Sequence, residues 1–218
     1  MARLKLGVLI SGRGSNMAAL IRATAEPGFP AEIVLVIANR ADAGGLETAR
    51  EAGIATAVID HKAFSGREPF EAAMDEALDA AGVELVCLAG FMRLLTAGFV
   101  ERRVGRMINI HPSLLPAFKG LHVQRQALAA GVRIAGCTVH FVTPDMDSGP
   151  ILVQAAVPVL PGDDEDSLAA RILKAEHRCY PHAVRLIAEG RVRLEGDLAR
   201  IDASSDSTEM LISPLNGE

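Results

Sequence analysis

Apolar residues along this chain fall into short continuous blocks: Leu4 to Ile10, Ile33 to Ala38, Ala55 to Ile59, Glu84 to Ala89 (apolar from Leu85) and Met107 to Ile110. Blocks of that length, rich in Val, Ile and Leu and lacking polar alternation, mark strands buried on both faces. The stretches between them carry helical spacing instead. They run from about Met17 to Ala25, Gly44 to Ala52, Pro69 to Ala81 and Leu95 to Arg103. In the third of these, Phe70, Ala73, Met74 and Ala77 share a helical face, with Pro69 at a tolerated first-turn position. Strand and helix alternating in this way predict an α/β fold, a doubly wound and mostly parallel sheet.

The pattern changes after His111. Pro112, Pro116 and Gly120 mark a loop, and Val123 to Ala130 makes a short helix. Ile134 to Val142 and Ile151 to Val159 are then two long strands with only the turn-rich segment Thr143 to Pro150 between them. They are expected to pair antiparallel, extending the sheet in the C-terminal half. Acid at Asp163 to Asp166 suits the first turn of a long helix over Ser167 to Glu189. Pro181 should kink or split that helix. Arg191 to Ile201 reads as a small hairpin around Glu195-Gly196-Asp197, and residues 203–218 as a flexible, Ser- and Asp-rich tail. Residues 1–202 are expected to form a single domain, whose two halves meet near residue 110.

The 218 residues, half of them hydrophobic, suffice for one full core. A formal charge of −5 and a pI near 5.7 supply no basic field, so nucleic acid is not an expected partner. Cys87, Cys137 and Cys179 match no metal or redox spacing and read as core thiols in a reducing compartment. Leu4 to Ile10 is too short for a signal peptide, and no run approaches the ~20 apolar residues of a membrane span. The expected location is the cytoplasm.

Chemistry concentrates where strands end. Two-residue alternation puts the side chains of Asn109 and His111 on one face of the fifth strand. An amide donor beside a group that titrates near neutrality suits a reaction in which a carbonyl oxygen gains charge while a proton moves. The loop Ser11-Gly12-Arg13-Gly14-Ser15-Asn16 joins a buried strand to a helix amino terminus, where the backbone N–H groups of Gly14, Ser15 and Asn16 can cradle a phosphate. The dinucleotide fingerprint is broken, because Met17 replaces its third glycine and the second strand ends in Asn39-Arg40 without an acid. A lone short phosphate fits better. Asp147 lies in the turn-rich connector. As an isolated residue it belongs to an ordinary acidic turn, but if the loop folds over His111 its carboxylate would favour the imidazolium. His140 alternates with apolar residues and reads as structural. Arg67 and Arg93 stand near the mouth, and Glu176, beside His177, reads on pattern alone as a surface carboxylate.

Taken together, Asn109-Ile110-His111-Pro112-Ser113-Leu114-Leu115-Pro116 and Asp147-Ser148-Gly149-Pro150 resemble the folate-dependent formyltransferases. Gly12 to Asn16, Ala89 to Leu95 and Pro116 to His122 add to the resemblance, which runs from about Leu6 to Gly190. It implies transfer of a formyl group from the co-substrate 10-formyltetrahydrofolate to the amino group of glycinamide ribonucleotide in purine biosynthesis, with no metal. It also implies that Asn109, His111 and Asp147 are catalytic, and that Gly14, Ser15, Asn16 and Glu176 bind the ribonucleotide. Arg67, Met92, Arg93, Leu94, Leu95, Asn109 and Asp145 then fall on the folate side. The first half, about 1–110, becomes the nucleotide-binding half, and 111–202 the folate and catalytic half. Leu173 departs from relatives that carry a polar residue there. The small molecules are the expected partners, with the chain acting as a monomer or homodimer.

Four rival readings compete with it. A formyltetrahydrofolate hydrolase would share the trio, although it usually carries an amino-terminal regulatory domain and this chain starts its first strand at Leu4. The methionyl-tRNA enzyme is longer and has a basic C-terminal domain. A dinucleotide-binding oxidoreductase or a non-catalytic nucleotide-binding module belongs to a different class.

Overall fold

The computed structural model describes residues 2–202 and Ser213; the tail expected over 203–218 lies, Ser213 apart, outside the described residues. Seven strands make one sheet: β1 (Leu4–Ile10), β2 (Ala31–Ala38), β3 (Thr56–Val58), β4 (Leu85–Leu88), β5 (Met107–His111), β6 (Ile134–Phe141) and β7 (Ile151–Pro158). Their order is β3-β2-β1-β4-β5-β6-β7. β1 to β5 are parallel, and β6 is antiparallel to both β5 and β7. The expected antiparallel β6–β7 pairing is present, and β6 also runs antiparallel to β5, a direction the sequence leaves open. Strand order reverses at β1 and β4, so ligands are expected outside the carboxyl ends of these strands. Helices α1 (Ser15–Thr24), α2 (Gly45–Glu51), α3 (Arg67–Ala80), α4 (Ala97–Glu101), α5 (Val123–Ala129) and α6 (Glu165–Ala188) flank the sheet. β8 (Val192–Glu195) and β9 (Leu198–Ile201) form a separate hairpin.

Side-chain alternation divides the core into two layers. Val8, Ile10, Ile108 and Ile110 point toward one layer with Met17 and Leu20 of α1 and Ile172 and Tyr180 of α6. Leu9, Leu88 and Met107 point to the other, with Phe70, Met74 and Leu78 of α3 and Phe99 of α4. Asn109 and His111 continue the row that Met107 begins. They therefore leave the α3–α4 layer at the carboxyl end of β5.

Local expectations hold with three adjustments. α3 begins at Arg67, which leaves Pro69 in the first turn, where a missing N–H costs nothing. α6 starts earlier than expected, at Glu165, behind an Asp164 cap that accepts from Ser167 N–H at 2.8 Å. It also runs unbroken past Pro181. The residues before and after the proline, Cys179, Tyr180, Ala183 and Val184, are buried, so packing holds the helix across the lost hydrogen bond. All three cysteines are buried and unpaired, and burial pushes the Cys87 thiol up to about 12. No helix among the described residues is long and apolar enough to cross a membrane.

Candidate active site

Antiparallel register places His140 of β6 opposite Asn109 and Thr138 opposite His111. Directly opposed residues share a sheet face, so four polar side chains form one patch. Asn109 is the one residue of β5 that is not buried. Its Nδ2 lies 3.3 Å from His140 Nε2.

His111 is 5 % exposed, not the surface histidine that a strand end would permit. Its Nε2–H donates to the Phe118 carbonyl at 2.9 Å, and its Nδ1 lies 3.5 Å from Asp147 Oδ2. Each ring nitrogen faces an oxygen that only accepts. Asp147 has the backbone to match: at φ 50° it sits in the left-handed region, which Asp tolerates better than most residues. Its Oδ2 also accepts from Gly120 N–H at 2.9 Å, and its Oδ1 stands 3.9 Å from His140 Nε2. Residues 142–150 start level with Met107, where Val142 N–H donates to its carbonyl at 2.9 Å, and fold back over the face of Asn109 and His111. The closure that the sequence left conditional is present.

Residues passed over in the sequence hold this arrangement. Thr138 donates from Oγ1 to the Ser113 carbonyl at 2.7 Å and accepts from Leu115 N–H at 3.0 Å and Gln154 Nε2 at 2.9 Å. Gln154 also donates to the Leu115 carbonyl at 3.0 Å. Lys119 donates to Ser148 Oγ at 2.5 Å, tying the two loops together. The available signal was the alternation of Thr138 and His140 with apolar neighbours, which makes one face of a buried strand polar.

The glycine-rich loop forms the second part of the candidate site. Gly14 caps α1 in the left-handed conformation without a side-chain cap, and no acid stands in the first turn. The N–H groups that open the helix are thus left for an anion. A Cβ on Gly14 would come within 3.1 Å of Gly45 Cα, so two backbones touch there. Asn16 Nδ2 donates to Glu176 Oε2 at 2.7 Å. Glu176 is buried, which corrects the surface reading: it lies on the same stripe of α6 as Ile172, Cys179 and Tyr180. Burial raises its pKa, and the Asn16 bond partly opposes this. Asn16 Oδ1 is buried without a partner among the described residues.

The third part is more open. Arg67, Met92, Arg93, Leu94 and Asp145 are exposed, while Leu95 is half-buried against the second core layer. Arg67 makes no ion pair among the described residues and is not drawn into the trio. Ser11 joins this segment to the glycine-rich loop: its N–H donates to the Gly90 carbonyl at 3.2 Å, and its Oγ accepts from Met92 N–H at 2.8 Å. At the far end, buried Glu71 accepts from Thr96 N–H at 2.7 Å.

The sequence pattern of the family described as formyl transferase matches residues 4–184. The chain belongs to the formyltransferase family. Among curated proteins, this formyltransferase is similar to phosphoribosylglycinamide formyltransferase of Escherichia coli, with 44 % identity over 91 % of this chain and 94 % of that one. It is also 52 % identical, over 90 % of its length, to the trifunctional purine biosynthetic protein adenosine-3 of Drosophila melanogaster, of which it spans 15 %. Among solved structures, glycinamide ribonucleotide transformylase 1 of Symbiobacterium toebii superposes with a TM-score of 0.89 at 53 % identity, covering 91 % of this chain and 94 % of that one.

Proposed function

We propose that this formyltransferase moves the formyl group of 10-formyltetrahydrofolate to the amino group of glycinamide ribonucleotide, a step of purine biosynthesis. The observation that carries the reading is the Asp147 carboxylate 3.5 Å from His111 Nδ1, beside the half-buried Asn109. The full-length similarity to the E. coli enzyme supports the choice of acceptor.

The residues fit both substrates. The uncapped start of α1 at Gly14, Ser15 and Asn16 would hold the ribonucleotide phosphate. Glu176 would accept from ribose hydroxyls, with the unpaired Asn16 Oδ1 as a further acceptor. Met92, Leu94 and Leu95 offer apolar contact to the folate ring system, flanked by Arg67, Arg93 and Asp145. The ribonucleotide site then draws on both halves of the chain, because Asn16 and Glu176 meet across them. Three buried, unpaired cysteines support a reducing, cytoplasmic setting.

In this reading Asn109 directs an N–H at the formyl oxygen as it gains charge. His111, charged and held by Asp147, stabilises the same oxygen through space. Binding the amine in line with the formyl carbon recovers much of the entropy of bringing two substrates together. The attacking nitrogen's proton leaves toward the folate nitrogen through the His111–Asp147 side of the site or through water.

The test is an absorbance assay of folate deformylation with and without glycinamide ribonucleotide. Deformylation that requires the ribonucleotide is the expected result. Equal rates without it would make water the acceptor and the chain a hydrolase. No reaction in either case would favour a binding module.

A further inference from the structure

His140 is a buried titratable group beside the trio but outside it. Its Nδ1 lies 2.9 Å from the Phe141 carbonyl oxygen. A carbonyl only accepts, so Nδ1 carries the ring proton. In a neutral ring Nε2 is then an acceptor, and the group that faces it at 3.3 Å must be the NH2 end of the Asn109 amide. The opposite flip would set the amide oxygen against a lone pair. One N–H of Asn109 is thereby committed to His140, and its second is directed away from β6.

We infer that His140 is a positioning residue for formyl transfer: as a neutral acceptor, it orients the Asn109 amide as a donor toward the developing oxyanion. This rests on the reaction proposed above. The groups facing His140 are the Phe141 carbonyl on its own strand, Asp147 in the loop over the site, His111 on β5 and Lys119 in the loop after β5. Burial dominates and lowers the ring's pKa. The Phe141 carbonyl and Asp147 oppose that, while His111 and Lys119 reinforce it. Once pH falls through the lowered value, Nε2 gains a proton and Asn109 loses its acceptor. The new N–H then points at Asp147 Oδ1, 3.9 Å away, and competes with His111 for the same carboxylate. Turnover therefore acquires an acid limb that belongs to His140.

The experiment compares pH profiles of kcat and KM for the wild type, His140→Leu and His140→Gln. Leucine removes the acceptor; glutamine keeps a carbonyl oxygen near Nε2 and cannot titrate. At neutral pH, His140→Leu is expected to lose about tenfold or more in kcat, with both KM values within about threefold of wild type. His140→Gln is expected to recover most of that kcat and to lack the His140 acid limb. Wild-type kcat in the leucine variant, no rescue by glutamine, or an unchanged acid limb in the glutamine variant would each overturn the inference. Imidazole nitrogen NMR on the wild type at neutral pH adds a readout independent of catalysis and of variant folding. His140 should be protonated at Nδ1 and bare at Nε2, and the reverse tautomer would sink the inference by itself. The expected tautomer in a wild type that fails to transfer formyl groups would instead count against the reaction, leaving the Asn109 orientation intact.

Discussion

Asp147 meets three partners at once: His111, His140 and the Gly120 N–H. An amide in its place could still accept from Gly120 but would carry no charge for His111. Asp147→Asn is accordingly expected to lower kcat by a hundredfold or more, within the ~10²–10⁴ of a positioned acid–base group, with substrate binding largely kept. Steady-state kinetics at neutral pH decides; near-wild-type turnover would remove the Asp–His pairing from the mechanism. At this scale Asn109 and His111 were legible, because two-residue alternation needs only the strand. Glu176 was not legible from pattern, since which stripe of α6 is buried depends on where α1 and the sheet lie. Nor could the Phe118 carbonyl on His111 Nε2 be foreseen, because it depends on a turn in which Phe118, Gly120 and His122 all adopt positive φ.

At the scale of elements, one phenol ties the middle of α6 to two strands of the sheet. Tyr180 is fully buried and its hydroxyl donates toward the carbonyls of Leu88 at 2.9 Å and Ile108 at 3.2 Å, on adjacent strands β4 and β5. Burial holds its pKa well above the usual phenol value, so it remains a donor. Tyr180→Phe should reduce the free energy of unfolding by about 1–2 kcal/mol, measured by chemical denaturation, with kcat within about twofold of wild type. A stability equal to wild type would show that the hydroxyl contributes nothing net. The same anchor explains why Pro181 does not split the helix, a point on which the proline alone was misleading. Apolar blocks and turn residues located every strand of the main sheet, but strand direction after β5 depends on how the loop after His111 returns, and its Pro and Gly residues give only a change of course.

For the molecule as a whole, one sheet crosses the point near residue 110 where the sequence changes character, and β5 and β6 are paired across it. The two halves are thus expected to unfold together. The chain has one tyrosine and no tryptophan, so intrinsic fluorescence reports Tyr180 in the second half while far-UV circular dichroism reports both. Coincident denaturant midpoints are expected; well-separated ones would mean that the halves are independent domains.

Ser11 gives the active-site rim a property of its own. Its N–H and its hydroxyl fasten the glycine-rich loop to the start of the Met92–Leu95 segment, so neither loop has a conformation independent of the other. Anyone grafting loops between members of this family to alter one substrate preference is, at this edge, transplanting a pair. A graft that brings a foreign glycine-rich loop without its matching segment leaves the Met92 N–H without its acceptor and shifts the Met92–Leu95 segment along with the loop.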